Sequence, residues 1–351
     1  KHRTPKFDCI VMNPPFAAMK AALYKLKRSE TIGGTRTNRL SMPLEAAFLC
    51  RALELLEDGG RLLSIVPCSV IMSESLQWLR DDILSQGAIR FVHELPSRCF
   101  PGVDSRMYLM VFDKNAVQRQ IALLNHDLQE PEKLVFRLSG RSVTRLDFGF
   151  VNAKAQIEVL GQHEWLDWTD LGDIVTVIRG DIVSPIGPKC AVHSTDYQNG
   201  FWRASHRHDA SVGKDEQRRI RRGDILISRV GRNSHRSCGR GVGIHGMACS
   251  DCVIILRPKS GRIATKVLFA LRVMLSQEWA RPLVERGTGA SYISHSSLLA
   301  LPIPMGVCSR FPRQFELFKD GQRVKSARQS LSAVRVVASR IAKLCNKPAD
   351  A

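Results

Sequence analysis

The sequence has no long apolar run. The best candidate, Leu62 to Met72, is short and interrupted by Pro67, far below the ~20 residues a membrane-spanning helix needs. That excludes a membrane reading and assigns the segment to a buried strand. No apolar stretch follows the basic start Lys1-His2-Arg3-Thr4-Pro5-Lys6, so it is no signal peptide. There is no initiating Met, and the chain reads as cut from something longer. No internal repeat or low-complexity tract appears, and Pro and Gly usage is ordinary, which excludes fibrous, collagen-like and wholly disordered classes. Acidic residues are few: 33 against 52 Lys and Arg, leaving a net charge of +19.

The charge is uneven. Residues 1–150 carry about +5 and residues 151–351 about +14. Within the second half, 203–240 holds 11 basic and 4 acidic residues, and 310–347 holds 10 and 2. Concentration on that scale points to a polyanionic partner, most often nucleic acid, more than to an ordinary solvated surface. The ten cysteines are scattered, several inside apolar runs. They fit a reducing cytoplasm and not a disulfide framework.

At 351 residues the chain has room for two domains or three. Phe7 to Met12 is a short apolar run that ends at Asn13-Pro14-Pro15-Phe16, where two prolines forbid helix and strand alike. Residues 17–44 are basic and hold Gly33-Gly34, as a partly mobile loop would. Leu44 to Leu56 has helical periodicity, stopped by Asp58-Gly59-Gly60. Arg61 to Pro67 is a strand, Ser75 to Ser85 a helix, and Ile89 to Leu95 and Met107 to Phe112 two more strands. This order predicts a mostly parallel α/β sheet with a final hairpin. Residues 116–164 read as linker with a short β segment. Leu171 to Ile178, Asp224 to Arg229, Gly241 to Ile244 and Cys252 to Leu256 read as strands of a second domain, and 264–283 as a helix. From about 315 to 345 the tail is helical. Val324, Ala327, Leu331, Val334, Ala338, Ile341 and Cys345 follow an unbroken 3-4 spacing, either a coiled-coil seam or an amphipathic helix packed on its own domain.

Asn13 to Phe16, within Phe7-Asp8-x-Ile10-x-x-Asn13-Pro14-Pro15-Phe16, resembles the catalytic motif of N6-adenine DNA methyltransferases of restriction-modification systems. The order downstream is similar to the family too: Gly59 to Pro67, then Ile89 to Pro96, then Phe100-Pro101-Gly102-Val103 before Tyr108 to Phe112. The resemblance implies that Asn13 offers a carboxamide oxygen and Pro14 a backbone carbonyl to the adenine amino group, with Pro15 holding the turn and Phe16 stacking on the base. Phe100 is the match for a second aromatic against the flipped base. The adenine amino lone pair is delocalised into the ring. Two fixed acceptors draw the nitrogen toward tetrahedral geometry and free the pair, a preorganised arrangement of the kind that stabilises developing charge. The target atom lies inside a duplex, so the base must be flipped out. A four-residue match alone is weak, and an ordinary Pro-Pro turn is the plain alternative. Position at a strand's carboxyl end strengthens the catalytic reading.

The resemblance implies S-adenosylmethionine (AdoMet) as methyl donor. In the family the glycine-rich AdoMet turn precedes the Asn-Pro-Pro segment, and only twelve residues precede it here. Most of the cofactor site is therefore expected outside this chain, which as it stands should be inactive alone. The expected fold class is α/β: the C-terminal half of a methyltransferase sheet, then an α+β domain and a long C-terminal helix. The expected domains are 1–115 partial catalytic, 116–164 linker, 165–310 target recognition and 311–351 spacer helix.

Residues of about 165–345 resemble one target-recognition domain and spacer helix of type I restriction specificity subunits. The pieces are Trp168 to Val175 with Arg179-Gly180, Arg222 to Gly231, Gly287-Thr288-Gly289, Ile293-Ser294, Leu298 and Leu301 to Pro304. Arg229, Arg232, Asn233, His235, Arg236 and Arg240 lie in or beside a Gly/Ser-rich loop suited to reading base edges. Arg203 and Arg207 are further DNA-binding candidates, and Ser291 and Tyr292 candidates for the backbone. Cys190/His193 and Cys249/Cys252 have zinc-like spacings. Buried apolar thiols explain them better, and no metal is expected. Double-stranded DNA is the expected partner, with a second methyltransferase or restriction subunit docking on the tail helix, in a bacterial, nucleoid-associated cytoplasmic setting. A non-catalytic DNA-specificity subunit is the rival reading. Methylation of RNA or of a protein glutamine is a third, which the basic second half disfavours. No nuclease motif is apparent.

Overall fold

A computed structural model of the chain describes residues 5–15, 24–26, 30–32, 35–37, 40–96, 99–100, 105–125, 133–137, 144–181, 191–203, 216–231, 233–287 and 291–345. The contacts divide it into two units: residues 1–152 with 287–289, and 153–286 with 290–351.

The first unit is built on a six-stranded sheet. Its strands are β1 (Phe7–Met12), β2 (Leu56–Pro67), β3 (Gly87–Glu94), β4 (Met107–Lys114), β5 (Gln120–Leu124) and β6 (Lys133–Arg137), in spatial order β1-β2-β4-β3-β5-β6. β1 and β2 are parallel, connected through α1 (Leu44–Leu55). Leu49 and Leu53 of that helix and Leu62 and Val66 of β2 are buried in one cluster with Ile71, Leu79, Ile83 and Phe112. At ~1.5–3 kcal/mol per buried aliphatic side chain, this seam holds the helix to the sheet. α2 (Cys68–Met72) and α3 (Gln77–Gln86) carry the chain from β2 to β3.

The sheet is more mixed than the element order suggested. β4 inserts between β2 and β3 and runs antiparallel to both. Met107, Tyr108, Met110, Val111 and Phe112 of β4 are all buried, which suits a central strand covered on both faces. Nor is 116–164 a linker. β5 pairs in parallel with β3, β6 pairs antiparallel with β5, and α4 (Phe148–Gly161) follows. Ile121 and Leu123 alternate inward, so even this short strand contributes to the core. β1 lies at the sheet's edge, and Phe7 and Val11 are 45% and 75% exposed. Within 17–44 the described pieces are two short antiparallel pairs, Tyr24–Leu26 with Leu40–Met42 and Glu30–Ile32 with Thr35–Thr37.

The second unit has its own six-stranded sheet: β7 (Val175–Arg179), β8 (Tyr197–Gln198), β9 (Phe201–Trp202), β10 (Ile225–Ser228), β11 (Gly239–Gly241) and β12 (Val253–Pro258), in order β7-β12-β10-β11-β9-β8. Leu171 to Ile174 form a helical turn and not the start of a strand, because Trp168–Asp170 have already paired with Pro302–Pro304. Gly180 is required where it stands: a Cβ there would lie 2.0 Å from the Ser250 carbonyl oxygen. The expected helix 264–283 stops early, as α5 (Ala264–Leu275), before the turns Glu278–Ala280 and Arg281–Val284.

The tail is two helices, α6 (Pro312–Arg323) and α7 (Ala327–Cys345), so the expected single spacer helix is corrected. Lys325 adopts φ 56° and breaks the run. Val334, Ala338 and Ile341 of the seam are buried, whereas Val324 falls in the break and is 69% exposed. Gln277 Nε2 donates to the Ala338 carbonyl at 3.0 Å, fastening α7 to its own unit. Among the described residues no helix is long and apolar enough to cross a membrane.

Candidate active site and nucleic-acid interface

β1 pairs with β2 up to Met12 and Ser64, and the chain then leaves the sheet as Asn13-Pro14-Pro15. Pro14 is buried and anchors the turn, while Asn13 and Pro15 are exposed. The exposed carboxamide thus sits next to a buried proline whose ring fixes the local backbone. Phe16 lies outside the described residues. Phe100 is half-buried, and no described contact joins it to Asn13.

β1, β2 and β3 run in one direction, so their carboxyl ends share one edge of the sheet. That edge gathers polar groups the motif did not reveal. Ser69 Oγ donates to Glu45 Oε1 at 3.2 Å; Glu45 is buried, and its Oε2 has no hydrogen-bond partner among the described residues. Tyr108 Oη donates to Glu94 Oε2 at 3.2 Å, and Arg106 Nη1 lies 3.8 Å from Glu94 Oε1. Burial raises the Tyr108 hydroxyl well above its usual range and pushes the Cys68 thiol up to about 11. Both therefore stay protonated at neutral pH, Tyr108 as a donor and Cys68 as an inert thiol. Glu45 was hard to find from sequence because an acid in a helix's first turn is normally solvated.

The described residues do not fit AdoMet by themselves. They contain no glycine-rich turn between a strand and a helix N-terminus, and the edge strand β1 carries the motif with nothing paired on its outer side. What they do present is an exposed Asn13 beside a buried Pro14 at the carboxyl end of β1.

In the second unit, part of the expected DNA-binding set converges. The Gly231 amide donates to Ser291 O at 3.2 Å and the Ile293 amide to Arg229 O at 2.7 Å, bringing Arg229, Ser291 and Tyr292 together. Arg229 Nε donates to Asp251 O at 2.7 Å, and its guanidinium lies 6.0 Å from the Tyr292 ring centre. Asn233 is exposed at the following turn. Arg236 is exposed and paired with Glu278 at 2.7 Å. Arg203 is exposed, its guanidinium 5.9 Å from the Phe201 ring centre. Arg240 stands apart from this group: it is half-buried in β11, and its Nη2 donates to Thr265 Oγ1 at 2.7 Å. Arg207 and Arg232 lie outside the described residues. His235 is buried against Glu285 at 2.7 Å.

Of the zinc-like pairs, Cys190 lies outside the described residues. Cys249 is buried in the apolar cluster of Trp202, Leu226 and Val253, where burial raises its thiol far above the usual range. Cys252 is half-exposed. Among the described residues no group of three or more His, Cys, Asp or Glu is placed to hold a metal ion.

Residues 2–100 match the Eco57I restriction-modification methylase family. A comparison with curated proteins finds no match. Among solved structures, the type IIG restriction endonuclease BpuSI is similar at 13% identity and TM-score 0.33, over 89% of this chain and 50% of that one. The EcoKI M protein, a type I restriction enzyme component, is similar at 21% identity and TM-score 0.27, over 34% of this chain and 25% of that one. The HsdS subunit from Thermoanaerobacter tengcongensis is similar at 17% identity and TM-score 0.30, over 56% and 53%. The chain thus spans between a quarter and about half of the solved proteins it resembles.

Proposed function

We propose that this chain carries the amino-acceptor part of a DNA adenine-N6 methyltransferase, together with a DNA target-recognition unit, within a restriction-modification or phage-defence system. The observation that carries the reading is Asn13-Pro14, exposed side chain beside buried proline, leaving the carboxyl end of β1 inside residues that match a restriction-modification methylase family. In the proposed reaction the Asn13 Oδ1 and the Pro14 carbonyl accept the two N–H groups of a flipped adenine. They hold its nitrogen where the lone pair faces a methyl donor, with Phe16 and Phe100 proposed as stacking partners. AdoMet supplies the methyl group when bound. The second unit reads the site, with Arg229, Arg232 and Asn233 at base edges and Arg203, Arg207, Ser291 and Tyr292 on the backbone.

The test is labelled methyl transfer from AdoMet to unmethylated duplex DNA, with N6-methyladenine as product. Removing one preorganised polar group of this kind costs about 10²–10³ in rate. Asn13→Ala in the active enzyme should therefore fall by that factor while DNA binding is retained. Full activity in Asn13→Ala would remove the catalytic assignment.

A second reading is favoured by the free edge of β1 and by the poor fit to AdoMet. In it the chain is a DNA-specificity component that docks a separate methyltransferase through its C-terminal helices. Sequence-specific DNA binding without AdoMet binding, and loss of that partner on Leu331→Glu, would select it.

A further inference from the structure

A cavity of about 510 Å³ in the second unit is lined by three arginines, Arg236, Arg272 and Arg335. Its size falls within the ~300–1,000 Å³ range of small-ligand sites. Leu275, Leu331 and Val334 give it an apolar wall.

Arg272 is the anomaly. It is 5% exposed, on the wholly buried face of α5. Its Nε donates to the Cys238 carbonyl at 2.9 Å and its Nη2 to the Gly200 carbonyl. The Phe318 ring centre lies 5.7 Å from its Cζ. Among the described residues its buried Nη1 has no hydrogen-bond partner, and no carboxylate pairs with its guanidinium. A guanidinium keeps its charge in any protein environment. A buried charge without a counter-charge is costly.

Neighbouring groups among the described residues supply it with no counter-charge. Burial, and then the Arg272 charge, hold Arg240 below the ordinary guanidinium range. Burial raises the Tyr197 hydroxyl against the pull of the Arg272 charge and of a hydrogen bond with Arg272, so it stays a neutral partner and donates to the Arg236 carbonyl at 3.0 Å. Among the described residues the one carboxylate paired with these arginines is Glu278, on Arg236 and 80% exposed. Pairs exposed to that degree contribute little.

We infer that this cavity binds a small organic phosphate, a nucleoside monophosphate by class. The phosphate is held by Arg272 and Arg335, and the nucleoside lies against Leu275, Leu331 and Val334. The cavity is larger than a bare phosphate needs, and the apolar wall gives an inorganic ion nothing to bind. The inference does not depend on methyl transfer or on DNA reading.

The test is calorimetric titration of the whole chain with AMP, inorganic phosphate and adenosine at low salt. AMP should bind, inorganic phosphate should bind more weakly, and adenosine should not bind. Arg335→Glu changes an exposed residue at the cavity rim and should leave the melting temperature unchanged. It should weaken AMP at least tenfold, about 1.4 kcal/mol. Arg272→Lys keeps the charge but loses the fork, and should weaken AMP as well. No AMP binding at millimolar concentration by folded protein would overturn the inference. AMP binding that Arg335→Glu leaves unchanged would do the same. A short duplex that displaces AMP, and whose own binding fails in Arg335→Glu, would assign the site to the DNA backbone and overturn the mononucleotide. Loss of methyl transfer in Asn13→Ala bears on none of these outcomes.

Discussion

Gly321 of α6 packs directly on Ser330 of α7: a Cβ at Gly321 would lie 2.5 Å from Ser330 Oγ and 2.8 Å from the Ser330 backbone nitrogen. The Ser326 amide donates to the Gly321 carbonyl at 2.8 Å, closing the same turn. An alanine in mid-helix ordinarily gains about 1 kcal/mol over glycine. Here the neighbour is backbone, which moves only if the two helices separate, and overpacking of that kind costs about 1–3 kcal/mol. Gly321→Ala should therefore lower the thermal midpoint. A raised midpoint, read by circular dichroism, would show that the hairpin opens without cost.

That contact also shows what the sequence conceals. The 3-4 spacing of apolar residues runs through Val324 and Ala327 without interruption, so nothing in it marks two helices. The break depends on Lys325 in the left-handed region, a conformation that glycine would have advertised. The strongest local signals were the legible ones. β1 matches its expected bounds, α1 ends within one residue of them, and the proline turn follows β1 as expected. The insertion of β4 between β2 and β3 is a long-range pairing, and alternation within a strand says nothing about its neighbours. The stretch holding β5 and β6 reads as linker with a short β segment because it carries few signals of its own, and both strands are held by pairing with distant neighbours. At the candidate site, Asn13 and Pro14 were legible from the motif. The buried state of Glu45 and the Glu94–Tyr108 contact arise only when α1 and β4 close on the sheet.

Asp113, on the central strand β4, is clamped from both sides. Arg61 of β2 donates to it at 2.7 and 2.9 Å, and Arg90 of β3 at 2.7 Å. The Arg61 hydrogen bonds, opposed by partial burial and aided by Arg90, hold its carboxyl at about 2. A carboxyl lowered on folding stabilises the native state above its unfolded value near 3.9. That contribution is lost as pH falls from about 4 toward 2. Both arginines are about half exposed, so solvent screening reduces it to about 1–2 kcal/mol. Asp113→Asn should lower stability at pH 7 by that amount and flatten the acid limb of the stability profile between pH 4 and 2. An unchanged acid limb, measured by urea unfolding, would show that the clamp contributes nothing.

Trp202 is fully buried in the second unit, and its indole N–H is shared between the Leu226 carbonyl at 3.0 Å and the Ser237 carbonyl at 2.9 Å. Trp202→Phe keeps most of the apolar volume but leaves both carbonyls short of a donor. Unmet buried acceptors cost about 1–3 kcal/mol, and the smaller ring adds a cavity cost. The variant should lose at least 2 kcal/mol in denaturant unfolding. A loss below 1 kcal/mol would mean that the carbonyls find other donors.

The proposed DNA interface separates three residues by the kind of effect each should have. Arg203 is exposed with its guanidinium over the Phe201 ring, a placement that leaves it open to a phosphate. Arg203→Ala should weaken all duplexes about equally and reduce the slope of log K against log salt by about 1. Asn233 is exposed beside the Arg229–Tyr292 cluster, and an amide suits adenine's major-groove edge. Asn233→Ala should cost about 1–3 kcal/mol on the cognate site and almost nothing on random DNA. Arg240 is half-buried and tied to Thr265, so Arg240→Ala should lower the melting temperature first and affect DNA only through folding. Fluorescence anisotropy with cognate and scrambled duplexes across a salt series tests all three. Equal losses on both duplexes for Asn233→Ala would move that residue from base reading to the backbone. A folded Arg240→Ala that has lost DNA binding would put Arg240 back among the direct contacts.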